Sequence, residues 1–134
     1  MVDKYYNIRQ IEENKLKITG KGNHSLWKKA TLLSDFSSPW EKEEPTKTIF
    51  KALWDKNNLF FCFHVEDTSI HINKTTDTNE SINVSDRVEL FFRTDENLSP
   101  YYCLEIDPTP RIMDFIAQPN KVFDFRWKWP KGDI

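Results

Sequence analysis

Short stretches of alternating apolar and polar residues make up most of this chain. In the clearest of them, residues 87–93, three apolar residues alternate with Arg87, Glu89, Phe91 and Arg93. Side chains two positions apart share one face of a strand, so the pattern predicts a half-buried strand with a charged outer row. Such a row is either ordinary surface charge or the floor of a binding site for a polar ligand.

The same alternation predicts further strands, at residues 48–54, 59–66, 101–107, 111–116 and 122–129, with short edge strands between residues 4 and 20. A single helical turn is predicted from Ser25, a favourable N-cap residue, and residues 67–84 are predicted to form a long polar loop. Roughly six to eight short strands with almost no helical periodicity predict an all-β fold. We expect a β-sandwich of immunoglobulin or jelly-roll type, built from short antiparallel strands.

Each of two predicted strands carries one cysteine on its polar face. Cys62 shares its predicted face with Phe60, and Cys103 shares its predicted face with Glu105. If their strands flank the strand at 87–93, they lie about 9–10 Å apart, twice the spacing of neighbouring strands. A disulfide needs Cα atoms within about 7 Å, so we expect two free thiols.

Composition and charge exclude several classes of function. The 134 residues carry 19 Lys and Arg against 21 Asp and Glu, and this balance provides no basic surface for nucleic acid. No apolar run approaches the ~20 residues of a membrane span, and the N-terminus lacks the apolar segment of a secretory signal peptide. No internal repeat divides the chain, so we expect one domain over residues 1–134.

No catalytic motif is present, but Glu89 and Glu105 form a candidate pair of carboxylates. They lie on the same face of strands predicted to be neighbours, and a glycosidase needs two carboxyl groups roughly 5–10 Å apart. Arg87 and Arg93 are expected to keep Glu89 ionised, which suits an acceptor for sugar hydroxyls better than a general acid. The alternative is a cross-strand charge network without a ligand.

Two tryptophans near the end of the chain, Trp127 and Trp129, are predicted to share one face of a strand beside charged residues. They can stack on the flat face of a sugar ring, or they can belong to the core. Trp127 is therefore a further candidate for contact with a ligand.

Three segments form an ordered set of motifs: ALWDKNNLFF at residues 52–61, DRVELF at 86–91 and YYCLEI at 101–106. The first resembles the A-x-W-D-x-x-x-L-Y hairpin of the family 9 carbohydrate-binding modules. The second resembles the D-x-V-E-I-F strand of that family, and the third its Y-Y-x-F-E-I strand. Residues 25–40 and 111–130 resemble the bacterial subgroup, so the resemblance covers nearly the whole chain.

This resemblance implies a non-catalytic β-sandwich, often with structural calcium, that binds mono- or oligosaccharides and is joined to polysaccharide-degrading enzymes. It implies a secreted or cell-surface location, although the chain shows no signal peptide. The polar ligand of the family maps onto Glu89, whereas its ligand arginine in the next strand maps onto Glu105. One tryptophan of the aromatic clamp maps onto Asn83.

The predicted ligand-binding residues are Glu89, Arg87, Glu105, Arg111 and Trp127. Family domains continue for several more strands, so the resemblance also implies a domain truncated at its C-terminus, lacking C-terminal strands. Open sheet edges of this kind favour self-association.

Other functions stay open. A structural or protein-interaction sandwich that has lost the sugar site is favoured by Asn83 at the clamp position. A glycoside hydrolase would use Glu89 and Glu105. A haem site, as in related sandwiches, would require Met113 and His64 to converge.

Overall fold

The structure is a computed structural model that describes residues 4–39, 42 and 46–130. Over these residues the chain is nearly all β. Its strands are β1 (Arg9–Gln10), β2 (Thr48–Trp54), β3 (Leu59–Val65), β4 (Val88–Arg93), β5 (Tyr101–Ile106), β6 (Ile112–Gln118) and β7 (Val122–Asp124). A 3₁₀-helix, Ser25–Lys29, and a one-turn helix α1, Asn79–Asn83, complete the elements. The predicted all-β fold class is confirmed.

The chain divides into two compact units, one up to Thr68 and one from Ser69 onward. The first contains a sheet of order β1-β2-β3 and the second a sheet of order β4-β5-β6-β7. All neighbouring strands pair antiparallel except β1 and β2, which are parallel. The β2–β3 hairpin turns as predicted, because Asp55 Oδ1 accepts backbone N–H groups of Asn57 and Asn58 at 2.9 and 2.8 Å.

The main apolar cluster of the first unit lies on the face of β2 and β3 that was predicted to be polar in β3, while Phe50 and Ala52 are buried on the opposite face. Phe60 is only 9% exposed and packs with Leu53 and Trp27, and Cys62 packs against this cluster. Leu59, on the opposite face, is 45% exposed. The prediction was wrong because β3 carries aromatic residues on both faces, so its alternation does not decide which face is covered.

Two predictions for the N-terminal segment also need correction. Residues 16–20 form no strand, although Leu16 and Ile18 pack into the core of the first unit. The 3₁₀-helix is capped by His24 rather than by Ser25, since His24 Nδ1 accepts the N–H of Leu26 at 3.2 Å. Irregular chain therefore supplies part of this core.

The core of the second unit lies under α1. Ile82 from this helix packs on Cys103, Met113 and Phe115 of the four-stranded sheet. Cys103 is fully buried, so its predicted position on a polar surface was wrong. The helix falls in the segment predicted to be loop, because one helical turn is too short to show periodicity. Both cysteines are free thiols, as predicted.

No described helix has the length and apolar character needed to cross a membrane.

Candidate functional site

Strands β4 and β5 bring together three of the predicted site residues, Arg87, Glu89 and Glu105. The register places Glu89 directly opposite Glu105. Arg87, which immediately precedes β4, contacts both carboxylates through its Nε, with Glu89 Oε1 at 2.9 Å and with Glu105 Oε2 in a closer contact. Glu105 is only 5% exposed, whereas the side chain of Glu89 is 34% exposed. One guanidinium thus serves two carboxylates, of which only Glu89 reaches solvent.

The charge balance around Glu89 differs from the prediction that arginines would keep it ionised. Burial raises the pKa of Glu89 and the neighbouring charge of Glu105 raises it further, while Arg87 opposes both effects. Arg93 forms no ion pair with any described carboxylate. Because two carboxylates share one cation, the charge of Glu89 is only partly compensated.

The buried carboxylate of Glu105 has a second partner inside the sheet. Cys103 Sγ donates to Glu105 Oε1 at 3.5 Å. Burial raises the pKa of the Cys103 thiol, and Glu105 adds to the shift, so Cys103 stays a neutral donor. Both oxygens of Glu105 are therefore occupied by protein donors.

Arg87 also anchors the end of α1. Its Nη1 donates to the backbone carbonyls of Asn83 at 2.7 Å and Ser85 at 3.4 Å. Carbonyls at the end of a helix lack intrahelical partners, and Arg87 satisfies two groups in this region. The position of the site cation therefore depends on α1 as well as on β5.

Arg111 is not brought to Glu89. It forms an ion pair with the buried Asp107 at 2.7 Å and donates to Ser81 Oγ at 2.8 Å and to the carbonyls of Thr76 and Asn73 at 3.1 and 2.8 Å. These bonds tie residues 73–85 to the sheet, so Arg111 acts in the structure as an anchor.

Asp107 holds this anchor in its charged form. Burial acts to raise the pKa of Asp107, but hydrogen bonds from Thr109 and Arg111 outweigh it and the pKa is lowered. The pKa of Asp107 is thus shifted in the opposite direction from that of Glu89, whose pKa is raised. The same sheet therefore contains one fully compensated carboxylate and one that is only partly compensated.

Trp127 lies on the other face of the sheet from Glu89. Its ring packs on Tyr102 with ring centroids 5.0 Å apart and on Trp129 at 5.1 Å. Tyr102 alternates with Cys103 and therefore faces away from the row that holds Glu89. The structure does not bring Trp127 to the charged row.

Within β4 and β5, the aromatic residues that share the face of Glu89 are Phe91 and Tyr101, neither of which was predicted as a site residue. Phe91 is 56% exposed, and its ring centroid lies 6.4 Å from that of Tyr101. The alternation of residues 87–93 already placed Phe91 in the same row as Glu89. The position of Tyr101 on this face could be assigned only from the strand register, which pairs it with Arg93. We name Glu89, Phe91 and Tyr101, with Arg87 beneath Glu89, the carboxylate–aromatic face.

Neither of two concave depressions, of about 260 and 330 Å³, lies at this face, since both are lined only by residues of the first unit. The described part of the chain contains no group of three or more His, Cys, Asp or Glu that could hold a metal ion. Met113 is enclosed in the apolar core of the second unit, and His64 is exposed in the first.

Comparison with known proteins identifies the family. The family model described as carbohydrate family 9 binding domain-like matches residues 18–107, which is more than half of the chain. The chain belongs to this family. The membership confirms the resemblance seen in the sequence and supports carbohydrate binding in general. No curated protein and no solved structure matches the chain.

The match to this carbohydrate-binding family includes β4 and β5, which carry the carboxylate–aromatic face. Modules of the family are generally non-catalytic. Charged residues from the two matched strand segments meet, since Arg87, immediately before β4, contacts Glu105 of β5.

The raised pKa of Glu89 leads to a prediction about stability. An acid whose folded pKa is raised costs stability while it is ionised, and this cost disappears as the pH falls through the folded pKa. At pH 7 the free energy of unfolding of Glu89→Gln is therefore expected to equal that of wild type or to exceed it by up to about 1 kcal/mol. The gain is small because Glu89 is partly solvated. Denaturant unfolding between pH 4 and 8 measures this.

The matched control is Asp107→Asn, because the pKa of Asp107 is lowered. Its carboxylate stabilises the fold above the unfolded pKa, and this contribution is lost as the pH falls through the folded pKa. Asp107→Asn should therefore be less stable than wild type at pH 7, with the difference shrinking in acid. A clear loss of stability in Glu89→Gln at pH 7 would contradict the charge balance described for Glu89.

The anchoring role of Arg111 gives a second prediction. Arg111→Met leaves Asp107 buried without its cation, which typically costs 3–5 kcal/mol, and frees residues 73–85. Hydrogen exchange should show lost protection of the amides of Asn73 and α1. Arg126→Met is the control, because the side chain of Arg126 is 90% exposed in its pair with Asp124 and such pairs contribute little. Unchanged protection in Arg111→Met would refute the role.

Proposed function

We propose that this protein binds a mono- or oligosaccharide on the carboxylate–aromatic face, without catalysing a reaction. Membership of the carbohydrate family 9 binding domain-like family supports a sugar as the ligand. The observation that carries the choice of face is the partly compensated, partly exposed Glu89 beside the exposed Phe91. Sugar recognition needs such a combination of a strong hydrogen-bond acceptor and an apolar ring.

Each member of the face has a distinct role in this proposal. The carboxylate of Glu89 accepts hydroxyl groups of the sugar, and these charge-assisted bonds are stronger than neutral ones. Phe91, two residues further along β4 and so about 6.8 Å away, stacks on the apolar face of the ring with Tyr101 beside it. Arg87 positions Glu89 from below through the 2.9 Å ion pair.

The geometry of the two glutamates favours binding over hydrolysis. In a glycosidase the substrate lies between the two carboxyl groups. Here the guanidinium of Arg87 contacts both carboxylates, and Glu105 is buried. The pair is therefore better suited to holding Glu89 in place than to acid–base chemistry.

The remaining parts of the proposal rest on the family alone. They are an association with polysaccharide degradation, a secreted or cell-surface location, and a single carbohydrate-binding domain. Self-association through open edges, of which β3 and β4 are candidates in their respective sheets, also stays a prediction.

A structural or protein-interaction role is the second candidate. The position of the missing clamp tryptophan is taken by Asn83, whose backbone carbonyl and side chain are both bound by Arg87. An asparagine used in this way contributes to the fold and offers no ring to a sugar. This role predicts that no sugar binds.

Calorimetric titration with a panel of mono- and oligosaccharides tests the proposal. At least one sugar is expected to bind, and Glu89→Gln should weaken it about tenfold or more because a bond to a charged group is worth about 1.5–3 kcal/mol. Phe91→Ala should weaken it as well, through loss of the stacking surface.

The controls are Glu96→Gln and Phe36→Ala, which change an exposed residue of the same type outside the face. Both should bind like wild type. The proposal fails if no sugar of the panel binds, or if Glu89→Gln binds as tightly as the unchanged protein.

A further inference from the structure

The larger depression of the first unit has no part in the proposed sugar site. Its volume is about 330 Å³, at the lower end of the ~300–1,000 Å³ range of small-molecule pockets. It lies on the half of the β2–β3 hairpin far from the turn, where Ile49 pairs with His64 and Lys51 with Cys62. The turn at residues 20–22 closes its other side.

Gly22 of this turn lies against the side chain of Cys62 in β3. Gly22 has a φ of +60°, and a Cβ added there would lie 2.8 Å from Cys62 Sγ. Only glycine combines this conformation with so close an approach. The contact fixes the turn against the strand and makes Lys21 part of the wall of the depression.

The lining of the depression is basic. It includes Lys21, Lys51 and His64, and it contains no described carboxylate. Lys51 is half-buried, and neither lysine forms an ion pair with a described residue. A half-buried ammonium group without an anionic partner loses hydration without compensation, and an anion relieves that cost.

Two neighbouring groups, Glu66 and Cys62, do not neutralise the positive charge of the depression. Glu66, two residues beyond His64, is paired with Lys47 at 2.7 Å. Burial raises the pKa of the Cys62 thiol, although Lys51 acts against it. The thiol is therefore neutral at pH 7 and adds no negative charge to the depression.

We propose that this depression binds an oxyanion, a carboxylate or phosphate group carried by a small polar molecule. Lys51 and Lys21 provide ammonium donors on two sides, and His64 provides a ring N–H at the strand end. Hydrogen bonds from cations to an oxyanion are short and strong. A sugar acid and a phosphate share this chemistry, and both fit the site.

The test is to titrate the full chain with sodium glucuronate, inorganic phosphate and glucose at constant ionic strength. The amide resonances are monitored by NMR. At least one of the two anions should bind saturably and shift the amides of Gly22 and His64, whereas glucose should not shift them. Lys51→Met should weaken binding about tenfold through loss of one charged hydrogen bond. Lys56→Met, an exposed lysine in the hairpin turn, is the matched control and should bind like wild type.

The two anions separate the sources: glucuronate alone indicates a sugar acid, phosphate alone a phosphorylated molecule, and either result supports an oxyanion site. Lys51→Arg keeps the charge and should retain most of the binding even if Lys51→Met proves unstable. The proposal is overturned if neither anion saturates the site, or if Lys56→Met weakens binding as much as Lys51→Met. Neutral-sugar binding at Glu89 is measured separately, so the two proposals can fail independently.

Discussion

The guanidinium of Arg87 is the group on which the second unit's arrangement depends. It neutralises the buried Glu105, holds Glu89 and binds the carbonyls of Asn83 and Ser85. One side chain thus joins β4, β5 and the end of α1. Removing one partner of a buried ion pair leaves an uncompensated charge in a poorly solvated place, which typically costs several kcal/mol. The charged cluster is therefore part of the fold before it is part of any site.

The proposed sugar site rests on an incomplete charge balance. Three carboxylates of this sheet, Glu89, Glu105 and Asp107, share the two arginines Arg87 and Arg111. Glu105 and Asp107 are buried and fully hydrogen-bonded, which leaves Glu89 as the carboxylate with both solvent exposure and unused capacity to accept. A polar ligand binds most readily where the protein has not satisfied its own groups.

The basic depression of the first unit follows the same logic with the opposite sign. There, Lys51 and Lys21 lack described anionic partners, and Gly22 lets the turn close on Cys62. The two proposed sites therefore favour different chemistries: hydroxyl groups at the carboxylate and an oxyanion at the lysines.

The sequence by itself determined the β class, the bounds of β2, the Asx turn at Asp55 and the shared row of Glu89 and Phe91. These features are local, because strand periodicity and turn chemistry act over a few residues. Only the tertiary structure decided which face of each strand is covered. Segments that form no strand, residues 11–30 and 73–85, bury Phe60 and Cys103. The same long-range packing made Arg111 an anchor and placed Trp127 on the face of the sheet opposite Glu89. The two-residue period of a strand separates its two faces but does not show which residues pack against each face.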